Sequence, residues 1–216
     1  MPMIDLDIIQ HKLCVDLEAR KIRQKRHSFN TEKCATIAEE VDCLLATGFI
    51  QEAHYPGWLS NVVLIKKVSG KWRMCMDFTN LNKAYPKDNF PLSRIDLIVD
   101  STAGHQMLSF MDTYYGYNQI RLNPDVEEKT SFITDKGLYC YKAMSFGLKN
   151  TNATYQQLVS WMFKEQIDRN MEVYVDDLAV KIKTSAQHRA DLWEAFAVLR
   201  RYQMKLNLAK CAFSVS

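Results

Sequence analysis

Hydrophobic and polar positions follow two distinct periods along this chain. Between residues 31 and 47 the period is helical: Ile37, Val41, Leu44 and Leu45 share one face, and Gly48 supplies a stop. Val62–Lys66 and Trp72–Phe78 read as strands around a Ser69-Gly70 turn. Further strands are expected at Gln106–Asp112, Gln119–Leu122, Thr130–Thr134 and Leu138–Lys142, the last two divided by Asp135-Lys136-Gly137. Residues 152–166 return to helical spacing, with Tyr155, Leu158, Val159 and Met162 on one face. Met171–Asp176 and Leu178–Lys183 read as two strands meeting at an acidic turn. A helix follows to about residue 203, opened by a capping box of Thr184 and Gln187, with Leu192, Phe196 and Leu199 inward. Helices and strands interleave without a regular βαβ repeat, which predicts the α+β class rather than a Rossmann or barrel fold.

Composition removes several classes. Of 216 residues, 47% are hydrophobic and 25% charged, so the chain has enough apolar mass for a core and is not disordered. Its longest apolar runs, such as Val62-Val63-Leu64-Ile65, are far too short for a membrane span. The first residues lack a basic region followed by an apolar one, so no secretory signal is read there and an intracellular location is expected. The six cysteines include no C-x-x-C pair, which favours reduced thiols over a zinc site. No phosphate-binding G-x-x-x-x-G-K-[ST] loop, dinucleotide G-x-G-x-x-G or nucleophile G-x-S-x-G is present.

The net charge of +3 hides an asymmetry: residues 101–180 carry 7 basic and 10 acidic side chains, and residues 181–216 carry 7 and 2. An acidic centre beside a basic end suits a cation site next to a polyanion, although a solvated surface has the same look. The basic run Arg20–Arg26 is open to three readings: phosphate contact, nuclear address or solvated face.

Tyr174-Val175-Asp176-Asp177 is the sharpest local feature. Two adjacent acids at the tip of an apolar hairpin repel each other and have poor strand propensity. By the chain's own composition about 0.05 copies of Tyr-any-Asp-Asp are expected by chance, so the motif asks for a cause. A divalent cation would offset the repulsion, since magnesium takes oxygen ligands. Neighbouring strand residues face opposite ways, so Asp176 and Asp177 need not do equal work. Asp112 ends the apolar strand Leu108–Met111 and is either a third ligand or a turn cap. Three such carboxylates fit two-metal phosphoryl transfer.

Several blocks in order carry a family likeness: Lys71–Phe78, Leu81-Asn82-Lys83, Phe110-Met111-Asp112, Gly116–Ile120, Phe146–Asn150 and Tyr174–Asp177. Together they resemble the reverse transcriptase domain of long-terminal-repeat retrotransposons, closest to the gypsy-like class and particularly to plant elements. The resemblance implies a right-hand polymerase, with residues 1–105 mainly fingers and 106–216 mainly palm, its antiparallel sheet packed on helices. It implies that Asp112, Asp176 and Asp177, with the Thr113 carbonyl, hold two magnesium ions, manganese being a possible substitute. Lys67 and Arg73 would grip the incoming triphosphate, and the backbone amides of Tyr115 and Gly116 would face it. Tyr117 would sit under the sugar and exclude a 2′-hydroxyl. Phe146 and Gly147 would shape the template-side pocket, and Tyr174 would touch the primer end. Solvated strand charges for Lys67, Lys71 and Arg73, and core aromatics for Tyr117 and Phe146, remain alternative readings. Trp72 is read as packing.

The implied activity is RNA-directed DNA synthesis on a primed RNA or DNA template from deoxynucleoside triphosphates, with no membrane partner. The alternatives are an inactive nucleic-acid-binding relic and an RNA-dependent RNA polymerase. The chain departs from the family at Ser145, where proline is common, and at Asn152, where a small residue or proline is common. It is expected to be a piece of a polyprotein, cut before the primer grip, thumb, ribonuclease H and integrase. On that expectation it binds primer-template weakly, and a cytoplasmic particle and the nucleus are equally open.

Overall fold

The computed structural model describes residues 3–68, 70–91, 95–182 and 185–215. In chain order its elements are β1 (Gln10–His11), α1 (Thr31–Thr47), β2 (Ile50–Glu52), β3 (Ser60–Lys66), β4 (Trp72–Met76), α2 (Thr79–Lys83) and α3 (Ile95–Thr102). Next come β5 (Met107–Asp112), β6 (Arg121–Leu122), α4 (Pro124–Glu127), β7 (Phe132–Ile133) and β8 (Leu138–Tyr141). The chain continues through α5 (Thr151–Met162), β9 (Met171–Tyr174), β10 (Asp177–Ile182), α6 (Ser185–Arg201) and β11 (Ala212–Val215). The mixture of helices with mainly antiparallel sheets is the α+β class expected from the pattern.

Two compact units are present, and they do not follow a single cut near residue 105. One comprises Gln10–Lys87 and Ile120–Thr151; the other comprises the segment up to Ile9, Asp88–Gln119 and the residues from Asn152 onward. Residues 88–105 therefore belong with the later part of the chain, and residues 120–151 return to the earlier part. Pairing between distant segments causes that return: β3 runs parallel to β7, with Ser60 opposite Phe132.

The first unit is built on a five-stranded sheet in the order β2-β8-β7-β3-β4. Helix α1 begins where the Asn30 side chain accepts a hydrogen bond from the Lys33 amide and ends at Gly48, whose φ of 75° suits a residue without a β-carbon. Ile37, Val41 and Leu44 are buried as the spacing predicts, whereas Leu45 is exposed. Phe78, expected to end a strand, instead precedes α2 and is buried. Ser69 of the expected turn lies outside the described residues; beside it, the Gly70 amide donates to the Lys67 carbonyl.

A four-stranded sheet in the order β11-β5-β10-β9 forms the second unit, every pairing antiparallel. Central position explains the apolar sequence of β10, buried from Leu178 to Ile182. Its one charged member, Lys181, is buried and paired with Glu172 on β9. Helix α5 buries Tyr155, Leu158, Val159 and Met162, the face expected from their spacing. On α6, Ala195 and Leu199 are buried while Leu192 and Phe196 are only half-buried. Thr184 of the expected capping box and Lys183 of the expected strand lie outside the described residues.

Candidate active site

Antiparallel register in the second unit brings the acids together. Asp177 opens β10 directly opposite Asp112, the last residue of β5, and opposite Tyr174, the last residue of β9. Asp176 occupies the turn between β9 and β10, where its carbonyl accepts the Thr113 amide at 3.4 Å. That turn is held in an uncommon conformation. Val175 has φ 50°, in the left-handed region that a β-branched residue avoids. A buried hydrogen bond compensates: the Val175 amide donates to Gln156 Oε1 on α5 at 2.9 Å. Tyr115, in the loop after β5, also has a positive φ, 49°. Strained backbone at two adjoining turns is a common mark of a functional site.

The two adjacent acids are unequal, but not through strand alternation: Asp176 lies in the turn and only Asp177 is in a strand. Asp177 is exposed, whereas Asp176 is half-buried, and its Oδ1 accepts no hydrogen bond from a described residue. Burial, reinforced by the nearby charges of Asp112 and Asp177, pushes the Asp176 carboxyl up to about 6. Partial desolvation at the strand end and the charge of Asp112 raise the Asp177 carboxyl as well. On the other side, the Lys210 ammonium stands 3.1 Å from Asp112 Oδ2. An orphaned carboxylate oxygen amid mutually repelling acids is chemically suited to a divalent cation, which would offset the repulsion. Among the described residues no cluster of three His, Cys, Asp or Glu closes into a cage by itself. This still fits magnesium, which typically takes one or two carboxylates and completes its shell with water and substrate phosphates.

The loop after β5 is fixed by buried polar side chains. Gln119 is fully buried; its Nε2 donates to the Tyr114 and Lys205 carbonyls at 2.7 and 3.1 Å, and its Oε1 accepts the Lys205 amide at 2.8 Å. The Tyr155 hydroxyl donates to Thr113 Oγ1 at 2.8 Å. Tyr117 packs edge-on against Tyr155 and donates its hydroxyl to Asn152 Oδ1 at 2.9 Å. Burial, with the charge of Asp176 as a smaller cause, raises the Tyr117 hydroxyl well above its ordinary value, so it remains a donor. Asn152, one of the positions where the chain departs from the family, is thus the acceptor for Tyr117. The sequence does not single out Gln119, Gln156 or Lys210, although Gln119 falls inside one of the family-like blocks, and it offers Tyr155 only as a member of an apolar helix face.

The remaining expected residues lie in the first unit. Lys67 follows β3 and Arg73 lies on β4 opposite Ile65, both exposed. Trp72 is more than packing: the ammoniums of Lys33 and Lys66 stand 5.1 and 5.8 Å from its ring centre. Phe146 is 56% exposed, which excludes the core-aromatic reading for it. Gly147 has φ 99°, and its carbonyl accepts Asn82 Nδ2 at 2.8 Å, so the Leu81–Lys83 and Phe146–Asn150 blocks meet. Ser145 is buried and donates to the Phe146 carbonyl at 3.2 Å.

Residues 65–216 match the family model described as reverse transcriptase (RNA-dependent DNA polymerase). The chain belongs to this family. It is 35% identical over 144 residues to the retrovirus-related Pol polyprotein from transposon 412 of Drosophila melanogaster, covering 66% of this chain and 12% of the relative. It is 29% identical over 181 residues to the corresponding polyprotein from transposon 297 of the same organism, covering 82% and 17%. A Tf2-3 transposon polyprotein of Schizosaccharomyces pombe is 24% identical over 184 residues, covering 85% and 14%. The chain therefore spans less than a fifth of the length of each of these relatives. Foamy viral protease–reverse transcriptase solved with double-stranded DNA shares the fold, with a TM-score of 0.85, 22% identity, and 94% of this chain and 35% of that chain covered. The same foamy viral enzyme solved with an RNA/DNA hybrid also has a TM-score of 0.85, at 21% identity and 94% and 27% coverage. This reverse transcriptase domain contains, among its described residues, no helix long and apolar enough to cross a membrane.

Proposed function

We propose that this domain catalyses RNA-directed DNA synthesis, adding deoxynucleotides to a primer 3′-end on an RNA or DNA template. The observation that carries the reading is the convergence of Asp112, Asp176 and Asp177 at the β5–β10 and β9–β10 strand ends, within the segment matched to the family. Two magnesium ions, when bound, would supply charge neutralisation at the reacting phosphate and lower the pKa of the attacking hydroxyl. Asp112, Asp176 and Asp177, with the Thr113 carbonyl, would hold them. Manganese is the expected substitute.

The other side chains position substrates. Lys67 and Arg73 would contact the triphosphate, Arg73 through a bidentate guanidinium and Lys67 as a point charge. The amides of Tyr115 and Gly116 would donate to phosphate oxygens. Tyr117 would pack under the sugar, Phe146 and Gly147 would shape the template-side pocket, and Tyr174 would meet the primer terminus. The unit containing β3 and β4 would serve as fingers and the unit containing β5, β9 and β10 as palm. Kinship with retrotransposon polyproteins supports an origin in such an element; the gypsy-type plant lineage is the finer assignment drawn from the sequence blocks. On that assignment thumb, ribonuclease H and integrase activities accompany the domain in its parent polyprotein, within an intracellular particle or the nucleus.

Single-nucleotide addition under protein excess tests the reading on four substrates: RNA or DNA template, with deoxy- or ribonucleotide. Magnesium-dependent deoxynucleotide addition on RNA is the expected result. Preferential ribonucleotide addition would indicate an RNA-dependent RNA polymerase, and binding without addition a relic.

A further inference from the structure

We propose that Lys210 is a displaceable counter-ion of the acid cluster, occupying Asp112 in the metal-free domain and lowering the affinity of a divalent ion for these carboxylates. The inference rests on the metal-site reading above. Its basis is the way Lys210 is held. The Asn207 amide donates to the Asp112 carbonyl at 2.8 Å, and the Lys210 amide donates to the Asn207 carbonyl at 2.9 Å. Leu208–Lys210 forms a short 3-10 turn between them. The backbone that carries Lys210 is thus tied to the residue whose carboxylate its ammonium neutralises.

The two partners differ in freedom. The Lys210 side chain is 65% exposed and the Asp112 side chain 18%. Among the described residues, Lys210 makes the only ion pair to any of the three acids. Its charge also opposes the upward shifts of Asp176 and Asp177. An exposed ion pair of this kind is worth at most a factor of about five in an equilibrium, so it is easily given up. A divalent ion makes several short oxygen contacts where the ammonium makes one, and it is repelled by a lysine that stays in place. Lys210 therefore makes the empty cluster tolerable and metal entry reversible.

Manganese binding to the 216-residue chain, followed by electron paramagnetic resonance at low ionic strength, tests this directly. The Lys210→Met variant keeps the aliphatic stem and should bind manganese about three- to fivefold more tightly than the parent. Lys210→Arg keeps the charge and should stay within about twofold of the parent. Asp176→Asn should weaken binding in either background. Melting without metal should be lower for Lys210→Met than for the parent, and manganese should raise it by more. A merely structural lysine would lower melting equally with and without manganese and leave affinity unchanged, which overturns the proposal. Unchanged affinity in Lys210→Met, with Asp176→Asn still weakening binding, rejects the counter-ion and leaves the metal site standing. If Asp176→Asn has no effect, or no chain binds manganese, the metal-site reading falls and the proposal with it.

Discussion

Gly116 lies directly against the carboxylate of Asp176. A β-carbon at position 116 would stand 2.5 Å from Asp176 Oδ1, 2.5 Å from Thr113 Oγ1 and 3.2 Å from the Tyr155 ring. Space, not backbone conformation, requires glycine here, so Gly116→Ala must displace the carboxylate or the loop after β5. We expect the alanine variant to fold with a loss of about 1–3 kcal/mol. Its manganese affinity should fall about tenfold or more, because the Asp176 carboxylate is pushed off position. Titration of metal by the two chains, alongside denaturant unfolding, checks both numbers.

The raised Asp176 carboxyl sets a pH dependence. The unfolded chain releases this proton near the ordinary value of 3.8, whereas the folded chain keeps it to about 6. Between these values the folded state holds more protons, so raising pH through the window lowers stability. Metal-free melting should therefore fall from pH 3.8 towards pH 6 by this contribution, with Asp177 adding in the same direction. Asp176→Asn removes much of the slope, and saturating magnesium reverses its sign by favouring the ionised form. Melting curves of the parent and the variant across this range, with chelator and with magnesium, provide the check.

Holding Val175 in its left-handed conformation depends on Gln156. Replacing Gln156 by leucine leaves a buried amide without its acceptor and should cost about 1–3 kcal/mol. Manganese affinity should drop as well, since Asp176 follows Val175 directly. Val175→Gly relieves the backbone strain and should recover part of the stability in the double variant. A double-mutant cycle measured by chemical denaturation separates the two effects.

Tyr117 and Asn152 make a paired prediction about sugar choice. Tyr117→Ala opens space beside the sugar and should raise ribonucleotide use relative to deoxynucleotide use. Tyr117→Phe and Asn152→Ala remove the hydrogen bond but keep the ring, so each should relax selection less than Tyr117→Ala. Ratios of specificity constants on one template measure this, and equal ratios across all four chains would assign Tyr117 to packing alone.

Local pattern revealed those parts of the fold that local physics decides. Helix α1, strands β3, β4 and β5 and the β9–β10 hairpin follow from periodicity and turn residues, to within a few residues at their ends. The three acids were legible because charge at the end of an apolar strand demands compensation. Helix α3 holds four β-branched residues in eight, Ile95, Ile98, Val99 and Thr102, whose composition speaks against a helix. Strands of two or three residues, such as β1 and β2, are too short to show a period. The return of residues 120–151 to the first unit depends on pairing β3 with β7 across some seventy residues, which no local window contains. Gln119, Gln156 and Lys210 share that limit: each is an ordinary polar residue until the fold shows which backbone group or carboxylate it faces.

The most direct measurement is single-turnover addition of one deoxynucleotide to a DNA primer on an RNA template, comparing the parent chain with Asp176→Asn in magnesium. Removing one charge from the metal-holding acids should slow addition on the order of 10³-fold or more, while folding survives because the amide has nearly the same shape. Measurable magnesium-dependent addition by the parent and its loss in Asp176→Asn is the result the account predicts. Equal addition by the two chains would contradict it.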